Sequence, residues 1–282
     1  MDKIVLLPNA EKDASFALSL ATMDVLKEFC SKIYTENENK ELISAGAIGY
    51  ARDAFPTDAQ LLLVLGGDGT MLHAASVAVE HDIPILGVNI GRLGYLAAVE
   101  PSELDSLKKL ATDTYDEQSR MMLSVTVRTK DGGERFLANA LNDMVIDGGG
   151  RLCDLRLFER DGYLDYRADG LIVSTPTGST AYSLSAGGPV VDETMDALGV
   201  TPVCPRSFFS RSLLFGADTT LRILNMSARA DVRISIDGCT DAALSLGDEV
   251  IVRRAECRLR TILLTPRNLL EVLSTKMNTQ HF

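Results

Sequence analysis

Ile4 to Leu7 form a short unbroken apolar run, after which Ala14, Ala17, Leu18, Ala21, Val25 and Phe29 recur at the spacing of one helix face. Asn9 is placed to cap the first turn of that helix. A second apolar run, Leu61 to Leu65, leads through Gly66-Gly67-Asp68-Gly69-Thr70 into a helical pattern carried by Leu72, Ala75, Ala78 and Val79. Ile83 to Val88 repeats the strand pattern, and Gly91 and Gly94 break the chain after it. Alternation of this kind predicts parallel strands joined by crossover helices, with a ligand crevice at the carboxyl ends of the strands.

After Pro101 the texture changes. Ser102 with Asp105 three residues on has the form of a capping box for a short helix through Leu104, Leu107 and Leu110. Beyond Arg120 the period is mostly two: Leu123, Val125 and Val127 alternate with polar residues, and Asp131-Gly132-Gly133 supplies a hairpin turn. Asp161-Gly162 repeats the device, Val232, Ile234 and Ile236 and then Val250 and Val252 continue the alternation, and Arg267 to Leu273 suggests a short closing helix. The expected fold is an α/β amino-terminal domain with a Rossmann-like parallel sheet, followed from residue 101 by a β-rich, layered, antiparallel carboxy-terminal domain.

Composition narrows the function. The 282 residues are 46% apolar and 24% charged, which is the soluble globular range. Net charge is −11, which argues against nonspecific partners such as nucleic acid or an anionic membrane surface, where phosphates must be met by basic side chains. Three histidines leave little for a multi-histidine metal site. Cys30, Cys153, Cys204, Cys239 and Cys257 are odd in number and form no CxxC, the pattern of reduced thiols. The first apolar run is too short for a signal peptide and none approaches the ~18 residues of a membrane span, so the expected location is the cytoplasm.

Three segments carry chemistry. Glycines in Gly66-Gly67-Asp68-Gly69-Thr70 let the backbone approach a ligand closely, and the helix that follows offers unpaired amides to an anion. The segment is neither a GxxxxGK[ST] loop nor a dinucleotide fingerprint, since Leu72 stands where a third glycine belongs. A carboxylate at Asp68, inside a phosphate cradle, makes sense if it binds a bridging metal or takes a proton from an attacking hydroxyl. The bland alternative is a tight turn with a capping aspartate. The second segment runs from Asp169 through Ser174-Thr175-Pro176-Thr177-Gly178-Ser179-Thr180-Ala181-Tyr182-Ser183-Leu184-Ser185 to Pro189 with no basic side chain. Such a surface suits a polar ligand such as a nucleoside, though an ordinary Ser/Thr-rich turn has the same composition. The third, Asn142-Asp143, can grip a ribose diol or mark a strand end.

The order and spacing of GGDGT, of Asn89-Ile90-Gly91-Arg92-Leu93-Gly94-Tyr95-Leu96, of Leu141-Asn142-Asp143 and of the long Asp169–Pro189 segment resemble the NAD kinase family over nearly the whole chain. GGDG is shared with diacylglycerol kinases and phosphofructokinases; the long segment is the specific signature. The resemblance implies transfer of a phosphoryl group from ATP or polyphosphate to the 2′-hydroxyl of the adenosine ribose of NAD, with Mg²⁺ on the donor phosphates and no protein metal ligand assigned. It implies domains at 1–100, rejoined by 265–282, and at 101–264, with NAD between them, in a homodimer or homotetramer. Asp68 then corresponds to the catalytic aspartate, and Gly67, Gly69 and Thr70 to the donor-phosphate turn. Asn142 and Asp143 correspond to an Asn-Glu pair on adenosine, with Asp143 one methylene shorter. Asp169 corresponds to the reader of the nicotinamide amide, with Ala181, Tyr182 and Ser185 nearby, some reaching across a subunit boundary. Thr177 and Thr180 fall on further ligand contacts, Tyr95 on an aromatic near adenine, and His73 and Arg167 on polar or basic contacts, His73 equally suiting a solvated helix position. Arg206 stands where a histidine is common. Two other functions remain compatible with parts of the pattern: a noncatalytic NAD- or NADP-sensing module, and another GGDG-type kinase acting on a lipid or sugar.

Overall fold

The computed structural model describes residues 1–91, 94–97, 99–206, 209–266 and 269–279, and the chain divides into two compact units. The first comprises 1–119 and the residues from Leu259 onward; the second comprises Arg120–Arg258.

In the first unit β1 (Lys3–Pro8), α1 (Ala17–Leu26), β2 (Lys32–Glu36), α2 (Lys40–Ser44), β3 (Ile48–Tyr50), β4 (Leu61–Gly66), α3 (Asp68–Glu80) and β5 (Ile85–Asn89) alternate. The strands are parallel in the order β5-β4-β1-β2-β3. Every residue of β4 is buried, which explains the unbroken apolar run: a central parallel strand is covered on both faces. Helix α1 begins later than its apolar spacing suggests. Phe16 precedes it at φ 52°, and the buried Asp13 carboxylate accepts from the amides of Leu18 (3.3 Å) and Ser19 (2.9 Å). Asn9 is therefore not its cap. On α3 the buried face is Met71, Ala74, Ala75 and Ala78 rather than one including Leu72.

A 3-10 helix over Pro101–Leu110 follows, with its capping box made by Glu100 and Glu103 instead of Ser102 and Asp105. The Glu100 amide donates to the Glu103 carboxylate at 3.2 Å. Its Leu107 and Leu110 join the core of the first unit with Ile4, Leu63, Leu65 and Val88, so residues 101–119 pack with the parallel sheet although the change of pattern lies at Pro101. The same core takes Ile262 and Leu264 from the end of the chain.

The second unit is built from β6 (Asp116–Arg128), β7 (Glu134–Ala140), β8 (Asp143–Asp147), β9 (Cys153–Glu159), β10 (Gly162–Ala168), β11 (Gly170–Ser174), α4 (Tyr182–Ser185), β12 (Ala197–Val203), β13 (Leu213–Gly216), β14 (Leu221–Asn225), β15 (Arg233–Ile236), β16 (Thr240–Ala243) and β17 (Glu249–Leu263). β6 starts and β17 ends in the first unit, where Thr261 pairs in parallel with Ile85. One antiparallel layer has the order β13-β12-β11-β8-β15-β16; the other contains β10-β9-β14-β17, with β6 on β17 and β7. Inward residues of both layers, among them Val125, Leu155, Ile223 and Val250 from one and Ile146, Val173, Val200 and Ile234 from the other, share one core. The predicted hairpin turns are present: Gly132, at φ +90°, sits between β6 and β7, and Arg160-Asp161 joins β9 to β10. Helix α5 (Leu269–Thr279) closes the chain; residues 267 and 268 of the expected closing helix lie outside the described residues. The fold expected from the pattern, α/β followed by layered β, is the one observed.

Candidate active site

The glycine turn joins β4 to α3 at the carboxyl edge of the parallel sheet. Gly67 is the cap residue and Asp68 opens the helix, so the first-turn amides, which have no intrahelical acceptors, face outward from Gly67-Asp68-Gly69. Its glycines differ in purpose. A Cβ at Gly66 would run into the Thr70 side chain, whose hydroxyl accepts from Asn9 Nδ2 at 2.9 Å, so Gly66 is required by packing. Among the described residues, a Cβ at Gly69 would meet no atom within 4 Å, and one at Gly67 would meet only Lys12 Nζ, at 3.2 Å. Packing among the described residues does not demand those two glycines, and the space they leave suits a ligand's close approach.

The carboxylate of Asp68 is held at both oxygens: Tyr95 N donates to Oδ2 and Leu96 N to Oδ1, each at 2.9 Å. Gly94 permits this, since a Cβ there would collide with the carboxylate. The loop that supplies the two amides is anchored by Asn89, whose amide donates to Val99 O at 2.8 Å and whose Nδ2 donates to Gly91 O and Glu100 Oε1, both at 3.2 Å. Tyr95 is half-buried, and burial and the nearby Asp68 raise its hydroxyl above the usual phenol range. Arg92 and Leu93 of this motif lie outside the described residues. His73 is exposed on α3 and lines a cavity of about 380 Å³ with Tyr50, Phe55, Val77 and His81.

In the second unit the hydroxyl-rich segment and Asn142-Asp143 are locked together. Thr175 N donates to Asn142 O at 2.9 Å, Thr175 Oγ1 donates to Leu141 O at 2.5 Å, and Gly178 N donates to Thr175 Oγ1 at 3.0 Å. Gly178 lies so close to the Asn142 backbone that no Cβ fits. Thr177 is buried and Thr180 Oγ1 donates to its carbonyl at 3.2 Å. Register places Asp143 beside Ser174.

Two groups here escaped the sequence reading. Asp237, in the left-handed region at φ 50° just after β15, accepts the amides of Leu141, Asn142 and Asp143 at 2.7, 2.8 and 3.0 Å. It is remote in sequence, and the Asp-Gly that contains it has the form of an ordinary turn. Arg120 is a buried guanidinium that donates to Thr177 Oγ1 at 3.3 Å and pairs with Glu193 at 2.8 Å. The local segment lacks a basic residue, as expected, but β6 supplies one. Asp143 is buried too. Desolvation and the Asp237 charge push its carboxyl up to about 7. Burial also raises Asp237, but its three amide donors oppose that, so Asp143 is the partner that holds the proton.

Asp169 is exposed at the other end of β11, where Gly170 pairs with Asp147, about 13 Å of strand away from Ser174. Arg167 is exposed and in loose ion-pair contact with Asp154, at 3.8 Å, and its carbonyl accepts from Arg206 N at 2.7 Å. Ala181 leads into the single turn of α4, on which Tyr182 and Ser185 are exposed. Thus the fold joins Asn142, Asp143, Thr177 and Thr180, and sets Arg167, Asp169 and Arg206 together elsewhere on the unit.

Comparison with known proteins decides what this apparatus belongs to. Residues 5–115 match the ATP-NAD kinase N-terminal domain and residues 141–264 the ATP-NAD kinase C-terminal domain. The chain belongs to the NAD kinase family. Curated NAD kinases similar to it include that of Natranaerobius thermophilus, 34% identical over 98% of both chains, and that of Caldanaerobacter subterraneus subsp. tengcongensis, 35% identical over 98% of this chain and 99% of that one. The NAD kinase of Symbiobacterium thermophilum is 41% identical over 83% of this chain and 86% of its own. Among solved structures, yeast NADH kinase complexed with NADH shares the fold at a TM-score of 0.85, 24% identity, covering 100% of this chain and 89% of that one. An NAD kinase from Archaeoglobus fulgidus in complex with ATP superposes at 0.68, with 19% identity over 97% and 99%. The protein is an enzyme of the kinase class, and neither the sensing module nor a lipid or sugar kinase has support among these relatives.

Proposed function

We propose that the enzyme transfers the terminal phosphoryl group of ATP, or of polyphosphate, to the 2′-hydroxyl of the adenosine ribose of NAD, giving NADP, and that Asp68 is the group that takes the hydroxyl proton. One observation carries this assignment: Asp68 is fixed at both oxygens by the Tyr95 and Leu96 amides, beside glycines that packing among the described residues does not require. Two donors hold the carboxylate in one orientation, so a proton is accepted at a defined atom rather than by a mobile side chain. Gly67, Gly69 and Thr70 receive the donor phosphates through backbone amides. Asn142 and Asp143 hold the ribose diol, Thr177 and Thr180 contact the dinucleotide, and Tyr95 packs near its adenine. Asp169, with Ala181, Tyr182 and Ser185, reads the nicotinamide end, and His73 and Arg167 are further polar contacts on NAD. The distance of Asp169 along β11 from Asn142 fits a residue that serves an extended dinucleotide or a neighbouring subunit's site.

No group of three or more Asp, Glu, His or Cys side chains suited to a metal is found among the described residues. In this reading Mg²⁺ is brought in by the donor and held by its phosphates and water, as this ion prefers. When bound it would neutralise charge on the phosphates, which an acidic protein needs. The enzyme acts as a cytoplasmic homodimer or homotetramer in this reading; the exposed apolar Tyr182, Leu184, Met195 and Leu214 of the second unit favour a further subunit, and its cysteines are free thiols. Among the described residues no helix is long and apolar enough to cross a membrane.

The test is a coupled assay: purified protein, NAD, Mg²⁺ and either ATP or polyphosphate, read by an NADP-specific dehydrogenase. NADP formation with ATP is expected, and none with either donor would refute the reading.

A further inference from the structure

The sequence assigns no cation to the glycine turn, yet the fold puts one there. Lys12 lies in the loop after β1, and among the described residues its ammonium is the single group that a Cβ at Gly67 would meet, at 3.2 Å. The loop is built to hold it. Asn9 N donates to Leu65 O at 2.9 Å and Asn9 Nδ2 to Thr70 Oγ1 at 2.9 Å, tying the loop to the end of β4 and to α3. Lys12 N then donates to both Asn9 O and Asn9 Oδ1, each at 3.1 Å. The side chain is exposed, and among the described residues its ammonium has no hydrogen-bond or ion-pair partner. By contrast, Lys32 sits against Asp58 at 2.8 Å and Lys108 against Glu28 at 3.0 Å. An exposed ammonium beside Gly67, with no partner among the described residues and open space at Gly69, in a chain of net charge −11, is poised for an anion supplied from outside.

We propose that Lys12 is a donor-binding residue, its ammonium contacting the phosphate chain of ATP at the Gly67-Asp68-Gly69 turn. This rests on the assignment of that turn to the phosphoryl donor. Asn9 is the positioning residue, since its side chain holds both the Lys12 backbone and Thr70. The chemistry is that of a point charge on a phosphate oxygen, with three donors and no fixed plane, so it suits the terminal phosphates of ATP and of polyphosphate alike.

The experiment is calorimetric titration of the full-length protein with ATP and Mg²⁺, and separately with NAD, for wild type, Lys12→Ala and Lys12→Arg, with urea midpoints for each. A charge-assisted hydrogen bond predicts that Lys12→Ala weakens ATP binding about tenfold to a hundredfold. NAD binding and the urea midpoint are expected to stay as in wild type, and Lys12→Arg to retain most of the ATP affinity. Unchanged ATP binding in Lys12→Ala would overturn the proposal. So would an equal loss in Lys12→Arg, which would place the effect in the packing of the loop. Because binding is measured directly, failure here is distinct from failure of the functional reading: a wild type that binds ATP through Lys12 and makes no NADP would sink only the latter.

Discussion

Asp68 opens α3 and Asp143 opens β8, and their surroundings give them different work. Asp68 is oriented by two backbone amides and stands beside the space left by Gly69. Asp68→Asn should keep the two amide contacts in part, fold normally and bind NAD. Its turnover should fall by roughly 10² to 10⁴, the usual worth of a general base. Near-normal turnover in the coupled assay would remove the base from Asp68. Asp143 instead is buried against Asp237, and its carboxyl titrates near neutrality, at about 7. The sign follows from the unfolded chain, where an aspartate titrates near ~3.9. Below that pH both states are protonated and the pair costs nothing; the cost develops as pH rises and is complete above about 7. Stability should therefore fall as pH climbs from 4 through 7. In urea melts Asp143→Asn should gain on wild type between pH 5 and pH 8; a constant difference across that range would show that Asp143 is ionised throughout. Because the ionised form accepts hydrogen bonds from a diol, KM for NAD should also fall over the same interval in wild type and lose that trend in the variant.

The elements that carry these residues are sensitive in unequal ways, and the glycine turn shows why. Gly66 and Gly94 are demanded by Thr70 and Asp68, whereas Gly69 is demanded by nothing among the described residues. Gly69→Ala should therefore keep wild-type stability, or gain slightly because alanine favours a helix, and yet raise KM for ATP. A variant with normal ATP kinetics would show that the donor does not approach this turn closely. This distinction was not legible in the sequence, where Gly66, Gly67 and Gly69 look alike. The strand-turn-helix around them was legible, because an apolar run followed by a helical period depends only on nearest neighbours along the chain. Asn9 as a helix cap and Ser102 with Asp105 as a capping box fitted local spacing too, but Asp13 and the Glu100–Glu103 pair take those roles. Tertiary demands decided these cases: the Asn9 side chain is already committed to Thr70 and to the Lys12 amide. Asp237 and Arg120 were invisible for a related reason. They reach Asn142 and Thr177 only through sheet pairing across tens of residues, which no local pattern encodes.

At the scale of the whole chain, the end of the sequence completes the beginning. Ile262 and Leu264 lie in the core with Leu63, Val88 and Leu107, Thr261 pairs with Ile85, and Lys109 Nζ donates to Leu264 O at 2.6 Å. The parallel sheet therefore stays incomplete until the last part of β17 has been made, after the whole second unit. Ile262 is 1% exposed, so Ile262→Ala should cost about 2–5 kcal/mol through lost burial and the cavity left behind. The loss should be uneven, because the second unit has its own core shared between its two β-layers. In hydrogen exchange followed by mass spectrometry, peptides covering β4 and β5 should lose protection in Ile262→Ala, while those covering β8 and β11 keep theirs. Equal loss in both would mean that the two units unfold as one. If the uneven pattern holds, the variant should also lose ATP affinity before NAD-side contacts at Asn142 are disturbed, because the glycine turn and Lys12 are mounted on the sheet that Ile262 supports.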